Sequence, residues 1–117
     1  MGKKRENRVC SVERRAMAVK SGEVVIVEQR GPVSLIILNR PHANHSINDD
    51  MRSALLRAIG DAGTSPKTQA VVITSTGEDA FSAGNDIEEI ATMTALEAEA
   101  TARKSLRLHR MLVELDK

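Results

Sequence analysis

Apolar and polar positions change rhythm several times along this chain. VVIVEQR (24–30) is β-branched and apolar before it turns polar, and VSLIIL (Val33–Leu38) follows across Gly31-Pro32, so the pattern predicts two strands joined as a hairpin. NRPHANH (39–45) predicts a loop, because Pro41 lacks an N–H and restricts Arg40. A helix comes next. Ser46 or Asn48 can cap it, Asp49 and Asp50 suit its first turn, and Met51, Leu55, Ile59 and Ala62 recur at helical spacing until Gly63 and Pro66 stop it. AVVITS (Ala70–Ser75) is a short continuous apolar run of the kind buried on both faces of a largely parallel sheet. TGEDAFSAGND (76–86) reads as a loop, and 86–91 as a short helical turn. The last segment opens on a capping-box pattern, Thr94-x-x-Glu97, and carries Leu108, Met111, Leu112 and Leu115 as one apolar stripe. That stripe runs up to Lys117 with nothing after it to cover it, so the chain reads as cut and the stripe as exposed. The order ββ–α–β–loop–α predicts the α/β class with an incomplete sheet.

Charge changes the picture at the N-terminus. Residues 1–20 hold seven basic and two acidic side chains, net +5, while the rest holds ten basic and fourteen acidic, net −4. This basic arm has no apolar periodicity and reads as a disordered leader, with binding to an anionic surface or nucleic acid as a second reading. Translation from Met17 is a third. The organised domain is expected over 21–117. Cys10 is the single cysteine, which excludes an intramolecular disulfide and a cysteine zinc cluster and suits a reducing cytosol. No apolar stretch approaches the roughly 20 residues of a membrane span, so a soluble, cytoplasmic protein with no membrane partner is expected. With Phe81 as the one aromatic and no basic stripe outside the leader, no nucleic-acid partner is expected of the body.

Few residues suggest chemistry by type alone. His42-x-x-His45 lacks supporting ligands and is expected to be a surface loop with two histidines, with no metal. His109, between arginines in the last helix, is expected to face solvent. The glycines form neither GxGxxG nor a GK[ST] loop, which excludes a dinucleotide fingerprint and a Walker motif. Asp86, Glu88 and Glu89 fit the acids of a helix N-terminus better than a catalytic pair. FSAGND (81–86) stands apart, because small residues allow close backbone approach and a helix start leaves free N–H groups. Such donors can hold charge developing on a carbonyl oxygen, as an oxyanion hole does, and tight packing is the competing reading.

LNRP (38–41), a capped helix, AVVIT (70–74) and AFSAGNDI (80–87), in that order, resemble the enoyl-CoA hydratase/isomerase or crotonase family over 24–117. The resemblance implies a crotonase-like (ClpP/crotonase) ββα spiral core, incomplete at the C-terminus. It implies an acyl-CoA thioester as substrate, no metal or redox cofactor, and an enolate held by two backbone N–H groups, the first being that of Asn85. It further implies that Ala83, Gly84, Asp86, Ile87 and Glu88 line the CoA and acyl site beside Asn85, with His42, Ala43 and Asn44 at the nucleotide end of CoA. Enoyl-CoA hydratase, a lyase, is the leading activity; isomerase, decarboxylase and hydrolase remain open within the family, whose members commonly form trimers or hexamers. His45-Ser46 departs from the family's usual Asn-Ala. The second donor and the hydratase glutamates are implied beyond Lys117, and Glu97 and Glu114 do not match them, so this chain alone is expected to be inactive. A non-catalytic remnant or a module docking through the exposed C-terminal helix is the alternative.

Overall fold

The computed structural model describes residues 23–117; the expectations for the leader and for a start at Met17 lie outside the described residues. Strands β1 (Val25–Arg30) and β2 (Val33–Leu38) pair antiparallel in the register Val25↔Leu38 to Arg30↔Val33. Only two residues reverse the chain between them. The first, Gly31, adopts φ 56°, which a side chain would resist, and Pro32 supplies a fixed negative φ. Helix α1 (Asp49–Thr64) then crosses back, and β3 (Ala70–Ser75) joins β2 in parallel, giving the order β1-β2-β3. The carbonyl of Pro32 accepts from the N–H groups of Gln69 (2.7 Å) and Ala70 (3.3 Å), which ties the start of β3 to the hairpin.

The strand covered on both faces is β2. Ile36 and Leu38 join Val25, Met51, Leu55, Ala58, Ile59 and Leu108 in the main core, whereas Leu35 and Ile37 pack with Ile26 on the opposite face. The period of two puts successive side chains on opposite sides, so a central strand with both sides covered must be apolar throughout. The same expectation for β3 is corrected: among the described residues β3 is an edge strand, and Val72 is exposed.

Helix α1 follows its predicted pattern. The Asn48 side chain accepts from the Met51 N–H at 3.0 Å, Asp49 and Asp50 lie in the first turn, and Met51, Leu55, Ala58, Ile59 and Ala62 are buried. Arg52 is buried with them. A short helix and a long one follow among the described residues. Helix α2 (Ile87–Ala91) is capped by Asp86, and α3 (Ala95–Val113) by the reciprocal Thr94–Glu97 box.

The apolar stripe of α3 is not left bare. Leu108 is buried in the main core, Met111 packs against it, and the tips of Met111 and Leu115 lie over Gly60 and Gly63 of α1. A Cβ built on Gly60 would meet Met111 Cε at 3.4 Å, and one on Gly63 would meet Leu115 Cδ1 at 3.2 Å. The glycines thus make the seat for the stripe, and the expectation of an uncovered helix is corrected on that ground. Leu112, the remaining member of the stripe, is exposed together with Leu96, Leu106 and Val113 of α3, and His109 is exposed as expected.

Candidate functional site

Two loops meet at the carboxyl ends of β2 and β3. The first leaves β2 through Asn39, whose Oδ1 accepts from Thr76 Oγ1 at 3.0 Å, while Thr76 N–H donates to the Leu38 carbonyl. Pro41 opens a single 3₁₀ turn (Pro41–Ala43), after which Asn44 (φ 51°) and His45 (φ 55°) are both left-handed. Asn and His are the side chains that tolerate this region best after glycine. The reversal sends the chain back towards the second loop and into α1.

The loop after β3 is laced to this turn by main-chain and side-chain bonds. Ala83 N–H donates to the Asn44 carbonyl (3.0 Å), and Ser82 Oγ donates to the His45 carbonyl (2.8 Å). Ile47 and Asn85 then form one parallel β-bridge, with Ile47 N–H on the Gly84 carbonyl (2.7 Å) and Asp86 N–H on the Ile47 carbonyl (3.0 Å). In that geometry the bonds to Ile47 come from the residues flanking Asn85. The N–H of Asn85 itself therefore points away from Ile47, and it has no acceptor among the described residues. Gly84 adopts φ 88°, yet a Cβ built there would meet nothing within 4 Å. Its requirement is conformational, not close packing. Phe81, more than half exposed, is not a core residue either.

Charged side chains brace the two loops. Arg40 Nη1 donates to the Ser46 carbonyl (2.6 Å), to Ser46 Oγ (3.1 Å) and to Asp86 Oδ2 (3.3 Å). The other oxygen of Asp86 accepts from the N–H groups of Glu88 (3.0 Å) and Glu89 (3.3 Å), closing the first turn of α2. Burial alone would raise the Asp86 carboxyl; the Glu89 N–H, the Arg40 guanidinium and the Glu88 N–H outweigh it and hold it below the ordinary carboxylate value. Arg52 Nη1 pairs with Glu89 Oε1 (3.2 Å) and with Asp49 Oδ1 (3.5 Å), and its Nη2 donates to the Ile47 carbonyl (3.3 Å). Glu89 Oε2 in turn accepts from the Asp49 N–H at 2.6 Å.

A cleft of about 460 Å³ opens where the loops meet. His42, Ala43, Ala83, Asn85, Asp86, Ile87 and Glu88, which the resemblance implied for the CoA and acyl site, line this cleft together with Arg40 and Ser46. Asn44 and Gly84 do not; their carbonyls hold the two loops together behind it. A larger groove of about 660 Å³ runs between β1 and α1 past Val25, Ala54 and Arg57, but none of the predicted residues lines it.

The histidine pair is corrected. His42 is exposed at the cleft, whereas His45 is 3% exposed and its ring is engaged by Arg40 N–H and the Thr76 carbonyl. Among the described residues no three His, Cys, Asp or Glu side chains are grouped as metal ligands, and no helix is long and apolar enough to cross a membrane. Sequence reasoning missed Arg52. A charge three residues before Leu55 and seven before Ile59 lies on the apolar face of α1, and that is the signature of a buried ion pair.

The arrangement, a hairpin, a crossover helix and a parallel strand leading to a backbone-donor loop, defines a crotonase-like fold. Residues 28–117 match the enoyl-CoA hydratase/isomerase family, and the chain belongs to it. It is 32% identical over 93 residues to the short-chain-enoyl-CoA hydratase of Clostridium acetobutylicum, which covers 80% of this chain and 36% of that protein. Among solved structures, enoyl-CoA hydratase from Thermoplasma volcanium aligns over 74% of this chain and 34% of its own, at 34% identity and TM-score 0.66. Enoyl-CoA hydratase from Bacillus anthracis gives TM-score 0.75 over 80% of this chain and 36% of its own at 24% identity, a likeness of fold. The chain spans about a third of the length of the curated relatives it matches.

Proposed function

We propose that this chain contributes the thioester-binding half of an enoyl-CoA hydratase, with the Asn85 N–H as one of two donors to an enolate oxygen. The observation that carries this reading is the Ile47–Asn85 bridge, which fixes the Asn85 N–H away from Ile47, without an acceptor among the described residues, at the wall of a cleft. A donor held by the backbone needs no reorganisation when charge develops, and one such bond is worth about 2.7–4 kcal/mol in the transition state. A main-chain donor also leaves the side chain at 85 free to vary.

Around that donor, Ala83 and Ile87 would offer apolar surface to the acyl chain and His42 and Ala43 would receive the nucleotide end of CoA, a reading supported by all four lining the cleft. The reaction adds water across the 2,3-double bond, which needs an acid and a base besides the donor pair. Asp86 is engaged by Arg40 and two N–H groups, so among the described residues it is a poor candidate for either role. We accordingly expect thioester binding from this chain and no appreciable hydration by it alone. The family membership supports the substrate class, and the single cysteine is in keeping with a cytoplasmic enzyme.

The test is an amide NMR titration of the chain with butyryl-CoA and, separately, with free CoA. The Asn85 amide should move with butyryl-CoA only, and His42 and Ala43 with both. Shifts confined to the groove between β1 and α1, or no shifts, would overturn the reading.

A further inference from the structure

His45 is an ionisable side chain in a place where only one of its forms fits. Its Nδ1 lies 3.0 Å from the Arg40 N–H and its Nε2 lies 2.7 Å from the Thr76 carbonyl oxygen. The first partner is a donor only, so Nδ1 must be unprotonated; the second is an acceptor only, so Nε2 must carry the proton. The other neutral tautomer would set N–H against N–H at one end and lone pair against lone pair at the other. The imidazolium would keep the Thr76 bond and turn an Nδ1–H against the Arg40 N–H. At 3% exposure the ring has little water to substitute for a lost partner.

The ring also bridges the two loops that make the cleft. Arg40 begins the turn after β2, and Thr76 is the residue that follows β3. The backbone of His45 itself receives Ser82 Oγ, and Ser82 Oγ receives the Gly84 N–H at 3.1 Å. Two bonds thus run from His45 to the segment that precedes Asn85, and a third within that segment ties Ser82 to Gly84. The other titratable or charged groups on these loops are Arg40 and His42 on one and Glu78, Asp79 and Asp86 on the other; none bonds to the ring through its side chain.

We infer that His45 is a positioning residue: its neutral, Nε2–H imidazole latches the two loops in the register that presents the Asn85 N–H, and protonation releases that latch. The importance of the latch for ligand binding rests on the proposed role of Asn85, but the latch itself is measurable without any ligand.

Two measurements on the full chain decide it. Imidazole nitrogen NMR at about pH 8, above the ordinary titration range of histidine, should find His45 as the Nε2–H tautomer. Hydrogen-exchange protection factors, which remove the intrinsic pH dependence of exchange, should then fall for the Ile47, Ala83 and Asp86 amides on acidification to about pH 5. Loss of one hydrogen bond predicts a fall of about threefold to tenfold. In His45→Asn, a side chain that keeps one donor and one acceptor, tolerates a left-handed backbone and cannot titrate, the same amides should be insensitive to pH. Protection in the middle of α1 reports whether that variant is folded; if it is not, the tautomer and the pH response of the unmodified chain decide alone. An Nδ1–H ring, a pH-flat response in the unmodified chain, or an equal fall in a folded His45→Asn would overturn the inference. Butyryl-CoA binding followed over the same pH range tests the other half. If the latch responds to pH and the thioester does not bind, the proposed function fails while the latch stands.

Discussion

Removing either partner of the Arg52–Glu89 pair should cost very different amounts, although the bond lost is the same. The Arg52 side chain is 1% exposed and that of Glu89 is 21% exposed. In Arg52→Met the apolar stem is replaced in kind, and Glu89 keeps both partial access to water and the Asp49 N–H at 2.6 Å. The expected loss is that of a hydrogen bond to a charged group, about 1.5–3 kcal/mol. In Glu89→Ala the guanidinium stays buried with only the Ile47 carbonyl at 3.3 Å and the exposed, well-hydrated Asp49 at 3.5 Å. An uncompensated buried charge costs about 3–5 kcal/mol. The double variant has no stranded charge, so it should fall within about 1 kcal/mol of Arg52→Met and be more stable than Glu89→Ala. Urea unfolding of all four proteins, followed by helical circular dichroism with the slopes compared, measures these differences. If Glu89→Ala proves no more destabilising than Arg52→Met, the burial asymmetry does not govern this pair and the reasoning fails.

Two further outcomes are expected. Gly60→Ala should stabilise the chain by about 0.5–1 kcal/mol through helix propensity, since its Cβ meets Met111 Cε at an ordinary 3.4 Å; a lowered thermal midpoint would contradict this. Asp86 has a lowered folded pKa, so its contribution to stability is present above the ordinary carboxylate value and is lost as pH falls through the lowered one. The stability difference between the unmodified chain and Asp86→Asn, measured by urea unfolding in steps from neutral pH to about pH 3, should therefore shrink at the acid end; a difference that grows on acidification would reverse the assigned sign.

The elements were legible where one physical rule acted alone. Helix α1 has a cap, acids in its first turn and an apolar face, and all three agree. The course of the chain at FSAGND was legible in part: small residues before an acid mark a loop running into a helix start, but close backbone approach was expected at Gly84, where a positive φ is the requirement. What escaped depends on pairing across distance. Whether VSLIIL or AVVITS is the central strand is decided by which has neighbours on both sides, and two similar apolar runs do not reveal that. His45 reads as a loop residue until Thr76 is brought to its ring. The stripe on α3 reads as uncovered because its seat, Gly60 and Gly63, lies in another helix and has no side chains to announce it.

The lacing of the two loops also bears on the order in which the molecule assembles. The β1–β2 hairpin closes over two residues, an event of about 1–10 μs. Ser82 and His45 are 37 positions apart, so their contact must wait until the crossover through α1 has brought β3 alongside β2. The cleft between the loops can therefore close only after β3 has docked on β2. A nascent chain would hold its hairpin and helix before it held the cleft proposed to take the thioester.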